Sequence, residues 1–455
     1  MSVKRTFGAV RSVCKKDLDF GVALTRPTRT TVNLDHLEHN VKSFYSHLSK
    51  YSTKASLLPI IKANGYGHGA LPLAVHLLKK DSVCKEMIAG VAVATLEEAI
   101  VLRRQLDAFD ISCPLLLLLG MIPPGCEQEL IEHRITPSVC DSDALKGCIR
   151  AAKEVDLPMK IHLKLDTGMH RVGVLPDGVH DMIKELSDAS KDGHIVLNGV
   201  YTHLSKADES DKAYTMSQLE YFQTAIDSLK ENELTPKFIH TMNSAGSVDF
   251  PQLQSDKLPF LKDLNLFRIG ISLYGLYPSD QVQRSQVPLK SLMSWETKIG
   301  QVKHLTEGKK IGYGGTYTTT KDTTIAILPV GYADGYRRLL GRGGNGKEAY
   351  KVEIDGKLCP IVGNVCMDMM MVDVSDIDNP YEGQSVFLMG EKDNLGVNSP
   401  LHCDNMAERL STINYEITCL VGERVPRFYI SNNNLVALRT LHETVFLDNY
   451  LNKEK

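Results

Sequence analysis

The alternation of apolar and polar positions divides the chain into two textures. From about residue 30 to residue 288, short apolar runs of strand length alternate with amphipathic stretches of helical period. Thr31–Leu34 alternates as a strand, and Asp35 is expected to cap a helix running to about Lys50. Leu57–Ile61 is a buried-strand run that stops at Lys62, with a helix expected over Ala70–Lys80. Further strands are expected at Ile88–Ala94, Leu115–Leu119, Ile135–Val139, Met159–Leu165, Val196–Thr202, Phe238–Thr241 and Leu266–Tyr274. Helices fall between most of them, near 127–133, from 141 or 142 to about 155, near 178–190 and over 213–231. Thr95 with Glu97 and Glu98 has the form of a helix start.

Counted from the Lys62 run, eight strand candidates separated by helices have the rhythm of a (β/α)8 barrel, typically about 250 residues long. A doubly wound open sheet shares that alternation, so the pattern alone leaves closure open. No Gly-x-Gly-x-x-Gly follows any of these runs, which argues against a dinucleotide fold. Past about Pro288 the helical period fades. Runs of β character appear at Thr297–His304, Thr324–Val330, Lys351–Ile354, Met369–Val374 and Ser385–Met389. Turn signals such as Asp355-Gly356 and the glycine cluster at 341–346 separate them. The expected fold class is therefore α/β: an N-terminal (β/α)8 barrel over 28–288, then a mostly β C-terminal domain over 289–455. Residues 1–27 read as a flexible N-terminal extension.

Composition narrows the partners. Apolar content of 43% and charged content of 24% are those of a globular protein, and a net charge of -3 gives no electrostatic reason to expect nucleic acid or an anionic membrane. No apolar run approaches the roughly 20 residues that span a bilayer. The ten cysteines form no Cys-x-x-Cys pair, and no His, Cys or carboxylate cluster has metal-ligand spacing. A reduced, cytoplasmic setting is expected. The first sixteen residues carry Lys4, Arg5, Arg11, Lys15 and Lys16 and no acid. That partly resembles an organelle-targeting segment, but little serine and no long amphipathic run favour a disordered basic tail.

In a barrel, catalytic groups gather at the C-terminal ends of the strands. Lys62 ends the first, Lys164 and Asp166 the fifth with Arg171 just beyond, and His203 the sixth. Asn243 and Ser244 follow the seventh, and Arg268 lies in the eighth. Ile60-Ile61-Lys62-Ala63-Asn64-Gly65-Tyr66-Gly67-His68-Gly69 has two readings alone: a snorkelling lysine before a flexible loop, or an amine whose desolvation makes it a Schiff-base former. The glycines would let backbone N–H groups approach a ligand. An amine, a histidine, an arginine and small-residue turns suit an aldehyde cofactor carrying a phosphate. Backbone N–H groups at Ser244 and Gly270-Ile271 are expected to hold that phosphate. Pyridoxal 5'-phosphate on Lys62 is the leading expectation.

The chain resembles the alanine racemases over about 31–428. The resemblance is carried by IIKANGYGHG at 60–69, HLKLDTGMHRVG at 162–173, GVYTH at 199–203, NSAG at 243–246 and FRIGISLYG at 267–275. It continues in GYGGTY at 312–317, LPVGYADG at 328–335, CPIVGNVCMD at 359–368 and TINYE at 412–416. It implies racemisation of L- and D-alanine with pyridoxal 5'-phosphate, Lys62 holding the cofactor and Lys62 and Tyr313 acting as bases on opposite faces. Tyr66 and Tyr415 would contact the phosphate, His203 the ring and Arg268 the ring nitrogen. Arg171 and the backbone of Met367 would position substrate. Lys164 matches a lysine that can be carbamylated, and Asp368 a residue near the substrate entrance. A homodimer with shared sites is also implied. His170 stands where a small residue is usual, and Asn364 replaces a frequent arginine. Serine preference, or a basic amino-acid decarboxylase with an acid in place of Arg268, are the rival enzyme readings. A cofactor-carrying protein without turnover is a rival of another class, though small proteins of that kind lack the β domain.

Overall fold

The computed structural model describes residues 10–13, 26–341, 348–390, 399–441, 443–447 and 450. They fall into two compact units: residues 37–65 with 73–289, and the described parts of 1–36, 66–72 and 290–455.

In the first unit, strands Val91–Val93, Leu116–Leu118, Thr136–Val139, Met159–Lys164, Ile195–Tyr201 and Phe238–His240 pair in parallel in sequence order. Ser56–Pro59 and Leu266–Ile269 form a further parallel pair. Leu57 bridges Ile88 and Ile60 bridges Ala92 on one side of that pair. On the other, Asn265 N–H donates to the Ile239 carbonyl (3.3 Å) and Arg268 N–H to that of Met242 (3.1 Å). Eight strands among the described residues thus close into a barrel, and the open sheet is excluded. The strands read as unbroken apolar runs because both faces are covered: Leu116, Leu117 and Leu118 are all buried.

Local chemistry starts the helices. Thr95 and Glu98 make the reciprocal capping box of Leu96–Ala108. The Asp141 carboxylate accepts the Ala144 N–H (2.8 Å) at the start of Ser142–Val155. Helix Ala213–Glu231 has the expected bounds.

Several details differ from the sequence reading. The cap of helix Leu34–Leu48 is Asn33, whose Oδ1 accepts from Asp35 N and His36 N. The Asp35 carboxylate instead accepts from Ser431 and Asn432. The run Leu266–Tyr274 is a strand only to Ile269, since Ile271–Tyr274 turns as a 3-10 helix after Gly270. The segment 297–304 contributes to two strands, Met293–Lys298 and Gln301–Leu305, which join different sheets.

The second unit is β-rich, as expected. Strand Arg29–Asn33 lies in its nine-stranded sheet, antiparallel to Met293–Lys298 and parallel to Arg427–Ser431, although it precedes the barrel in the chain. Within the expected N-terminal extension, Val10–Val13 pairs in parallel with Thr444–Leu447. A three-stranded sheet joins Gln301–Leu305, Thr323–Leu328 and Met370–Asp373. Ile311, Ile325 and Val362 form a small core beside the hairpin Lys310–Ile311/Tyr317–Thr318. The glycine-rich turn expected at 341–346 lies, Gly341 apart, outside the described residues. No helix among the described residues is long and apolar enough to cross a membrane.

Candidate active site

Lys62 follows the first barrel strand, and the chain then turns through Ala63, Asn64 and Gly65, all left-handed with φ of 50°, 53° and 64°. Non-glycine residues adopt this conformation at a cost of about 1–2 kcal/mol each, so something must hold it. Glu98 does. Its carboxylate accepts the N–H groups of Ala63 (2.6 Å), Ala94 (2.9 Å) and Thr95 (3.2 Å), joining the lysine turn to the start of helix Leu96–Ala108.

Two of the glycines after that turn are also required by packing. A Cβ on Gly67 would lie 2.0 Å from the Thr418 carbonyl oxygen, and one on Gly69 would lie 1.9 Å from the Tyr429 hydroxyl. Gly67 and Gly69 are therefore packing positions in the β-rich unit. Tyr429 donates to the His68 carbonyl (2.8 Å) and Arg427 to that of Gly67 (3.2 Å).

Inside the barrel, Arg268 is buried with neutral partners. Its guanidinium donates to the carbonyls of Thr202 (2.6 Å), Thr241 (2.9 Å) and His240 (3.0 Å), and to His240 Nδ1 (2.8 Å). Burial lowers its pKa to about 10, which leaves it charged at neutral pH. Guanidinium has no acceptor, so His240 Nδ1 must be the bare nitrogen and Nε2 must carry the proton. Nε2–H then donates to His162 Nδ1 (2.9 Å), and His162 Nε2 faces the Asn198 amide (3.2 Å). Burial, reinforced by Arg268, pushes His162 down to about 3 and His240 well below the usual range, so both rings are neutral. The same two causes keep His203 neutral beside Arg268. Tyr201 stacks on His240 with ring centres 4.6 Å apart.

Lys164 is buried with its Nζ 5.2 Å from the centre of the Tyr201 ring. Burial first, then Arg268, lowers its pKa to about 8. Burial alone would raise the pKa of Asp166, but N–H donation from His170, Gly168 and Arg171 outweighs it and holds the carboxylate low. Those bonds shape the loop that carries the Arg171 side chain to the surface. His170 adopts φ 53°, a left-handed conformation in which histidine is among the commoner non-glycine residues. Ser244 Oγ accepts from Gly270 N–H (2.9 Å) and Ser272 N–H (3.4 Å). The Gly270 N–H, expected to face a phosphate, is thus engaged by Ser244, whose own O–H is left to donate. Ile271 opens the 3-10 turn that follows.

In the β-rich unit, Tyr66 lies beside Tyr415 with ring centres 6.2 Å apart, so the two expected phosphate contacts are neighbours. Tyr313 begins a 3-10 turn after Gly312 and is 71% exposed. Met367 is 52% exposed, and its carbonyl accepts the Ala333 N–H (3.0 Å). Asp368 pairs with Arg424 (2.7 Å). The expected residues therefore form three groups: Lys62, Lys164, Arg171, His203, Ser244, Arg268, Gly270 and Ile271 in the barrel unit, Tyr66 with Tyr415, and Tyr313 near the 363–367 segment. His162, His240 and Tyr201, which adjoin Arg268 or one another, are not among the expected residues. For His162 the sequence carries a signal: it alternates with Lys164 within an apolar run, which puts the two on one face of the strand.

Comparison with known proteins identifies the family. Residues 32–278 match the family model described as alanine racemase, N-terminal domain, and 292–429 that described as alanine racemase, C-terminal domain. The alanine racemase of Clostridium novyi is 36% identical over 415 residues, 91% of this chain and 98% of its own. That of Desulforamulus reducens is 37% identical over 407 residues, 90% and 100%. Among solved structures, alanine racemase of Clostridium difficile 630 superimposes with a TM-score of 0.79 at 33% identity, covering 92% and 99%. Alanine racemase of Bacillus anthracis with bound L-Ala-P gives 0.77 at 30%, covering 91% and 98%. Matched along nearly its whole length in sequence and fold, this chain belongs to the alanine racemase family of amino-acid isomerases.

Proposed function

We propose that the chain interconverts L- and D-alanine with pyridoxal 5'-phosphate, Lys62 and Tyr313 exchanging the α-proton on opposite faces. The observation that carries this reading is the Arg268 bonding set. The donor set also fits the cofactor: Lys62 would hold the aldehyde, Ser244, Tyr66 and Tyr415 the phosphate, and Arg268 the ring nitrogen. When bound, pyridoxal phosphate supplies the aldehyde that captures an amino group and the electron sink that acidifies its α-hydrogen. Arg268 keeps its proton, and its imidazole neighbours are neutral and point their protons away from it. Arg268 would offer the ring nitrogen a donor without protonating it, which would favour rapid return of the α-proton over transamination. A decarboxylase would place an acid there.

Proton return to either face needs two groups, and Lys62 and Tyr313 are those the resemblance assigns. Arg171 and the Met367 backbone would hold the substrate carboxylate. Lys164, a buried amine at about 8 beside Arg268 and Arg171, would relieve its repulsion by becoming a carbamate. The Bacillus anthracis relative is described with L-Ala-P, and a Clostridium difficile alanine racemase with cycloserine, at 32% identity and a TM-score of 0.77. Both are small amino-acid-like ligands. Exposure of Tyr313, Met367 and Met369 on one chain supports a homodimer that covers them.

Protein supplied with pyridoxal phosphate is expected to convert L-alanine to D-alanine and to exchange the α-hydrogen in deuterated water. L-serine, run in parallel, decides between the two substrates. Lys62→Ala should abolish the cofactor's visible absorbance, whereas Tyr313→Phe should keep it and lose racemisation. No D-alanine by chiral chromatography at saturating cofactor refutes the proposal. Mixing the two inactive variants should restore part of the activity if sites are shared between chains.

A further inference from the structure

The turn bearing Tyr313 is closed within itself by one backbone bond, from Gly315 N–H to the Gly312 carbonyl (3.1 Å). Gly312, Gly314 and Gly315 all have positive φ, at 72°, 74° and 53°. The two-residue strands on either side, Lys310–Ile311 and Tyr317–Thr318, form a minimal hairpin. A second hold comes from 51 positions later: the Asn364 side-chain amide donates to the Tyr313 carbonyl (2.9 Å). A carbonyl can only accept, so the amide must present its nitrogen.

Asn364 is itself fixed. A Cβ on Gly363 would lie 2.8 Å from the Ile311 carbonyl oxygen, so this segment packs backbone-to-backbone against the hairpin. A Cβ on Gly341 would lie 2.5 Å from the Gly363 carbonyl oxygen and 3.0 Å from Val365 N, which closes the other side. The Cys366 and Met367 carbonyls accept N–H groups of Tyr332 and Ala333, each at 3.0 Å. One short stretch, 363–367, therefore grips the Tyr313 turn with a side chain and carries the Met367 backbone.

We propose that Asn364 is a positioning residue for Tyr313: its amide sets the height and direction of the phenol-bearing turn relative to Met367. This rests on the reading of Tyr313 as one of the two bases. Asparagine offers its donor on a short stem, with little freedom to leave the carbonyl.

The test uses the holoenzyme with Asn364→Leu, which keeps the approximate shape and removes the donor, and Asn364→Asp, which keeps the shape but cannot donate when ionised. Both are expected to melt like the parent and to lose kcat by roughly three- to tenfold, the weight of one hydrogen bond, with KM little changed. The primary isotope effect of α-deuterated alanine supplies a readout that general loosening does not imitate. It should rise for the one enantiomer whose proton Tyr313 receives and not for the other. Unchanged kcat and isotope effects in both variants, or an equal rise for both enantiomers, overturns the role of Asn364. If Tyr313→Phe itself racemises at the parent rate, the assignment of Tyr313 falls. If Tyr313→Phe is inactive while the Asn364 variants are normal, only the present inference falls.

Discussion

Replacing Asp334 with asparagine removes one charge from a junction that supports the 363–368 segment. Asp334 is fully buried and accepts from the guanidinium groups of Arg26 and Arg424 and from Gly331 N–H (3.0 Å). Arg424 also reaches Asp368 (2.7 Å), and the turn closed by Asp334 donates to the Cys366 and Met367 carbonyls. Removing one partner of a buried ion pair costs about 3–5 kcal/mol. Here the Arg26 and Arg424 side chains retain 27% and 36% exposure, so both can recover water, and asparagine still accepts one bond. The expected cost of Asp334→Asn is therefore about 2 kcal/mol. In a unit of this size that lowers Tm by roughly 4–8 °C. Scanning calorimetry measures the shift, and steady-state kinetics should show a raised KM through the loosened Met367 segment. The pH dependence provides a second check. Burial would raise the Asp334 pKa, but the bonds from Arg26, Arg424 and Gly331 outweigh it and hold it below the ordinary value. The stabilisation is thus complete above the ordinary carboxylate pKa and disappears as pH falls through the lower folded value. The difference in Tm between parent and Asp334→Asn should shrink only in strong acid. A variant with parental Tm and KM, or a difference constant down to that range, refutes the reasoning.

Two further outcomes follow from the barrel interior. A Cβ at Gly199 would lie 2.5 Å from His162 Cε1 and 2.6 Å from Nδ1, so Gly199→Ala displaces the ring that His240 donates to. We expect a loss of about 1–3 kcal/mol by denaturant titration and weaker pyridoxal phosphate binding by absorbance titration, since Arg268 loses its tuned neighbour. Lys164, lowered to about 8, binds fewer protons folded than unfolded between pH 8 and its ordinary value near 10.5, so stability rises with pH across that window. Lys164→Met should flatten that rise, by roughly 2–4 kcal/mol with carbon dioxide excluded. With labelled bicarbonate, the parent should show a carbamate carbon resonance absent from the variant.

Much of this molecule was written locally. The alternation from Leu57 to Ile269, the Thr95–Glu98 box and the bounds of Ala213–Glu231 follow from neighbours within a few residues, because period and capping are short-range physics. The strand-end residues Lys62, Lys164, His203, Ser244 and Arg268 were legible for the same reason, once a barrel was assumed. Tertiary structure decided what depends on partners distant in sequence. Arg29–Asn33 joins the β-rich sheet because Met293–Lys298 and Arg427–Ser431 flank it, some 260 and 400 positions away. Gly67 and Gly69 are glycines because Thr418 and Tyr429 press on them, and Gly199 because His162 does. The neutral chain His240–His162, the Gly270 N–H engaged by Ser244 and the Asn364 amide on Tyr313 are likewise invisible in a linear pattern. A residue type and its spacing show which groups are available, but a hydrogen bond forms only where the fold brings two of them within about 3 Å.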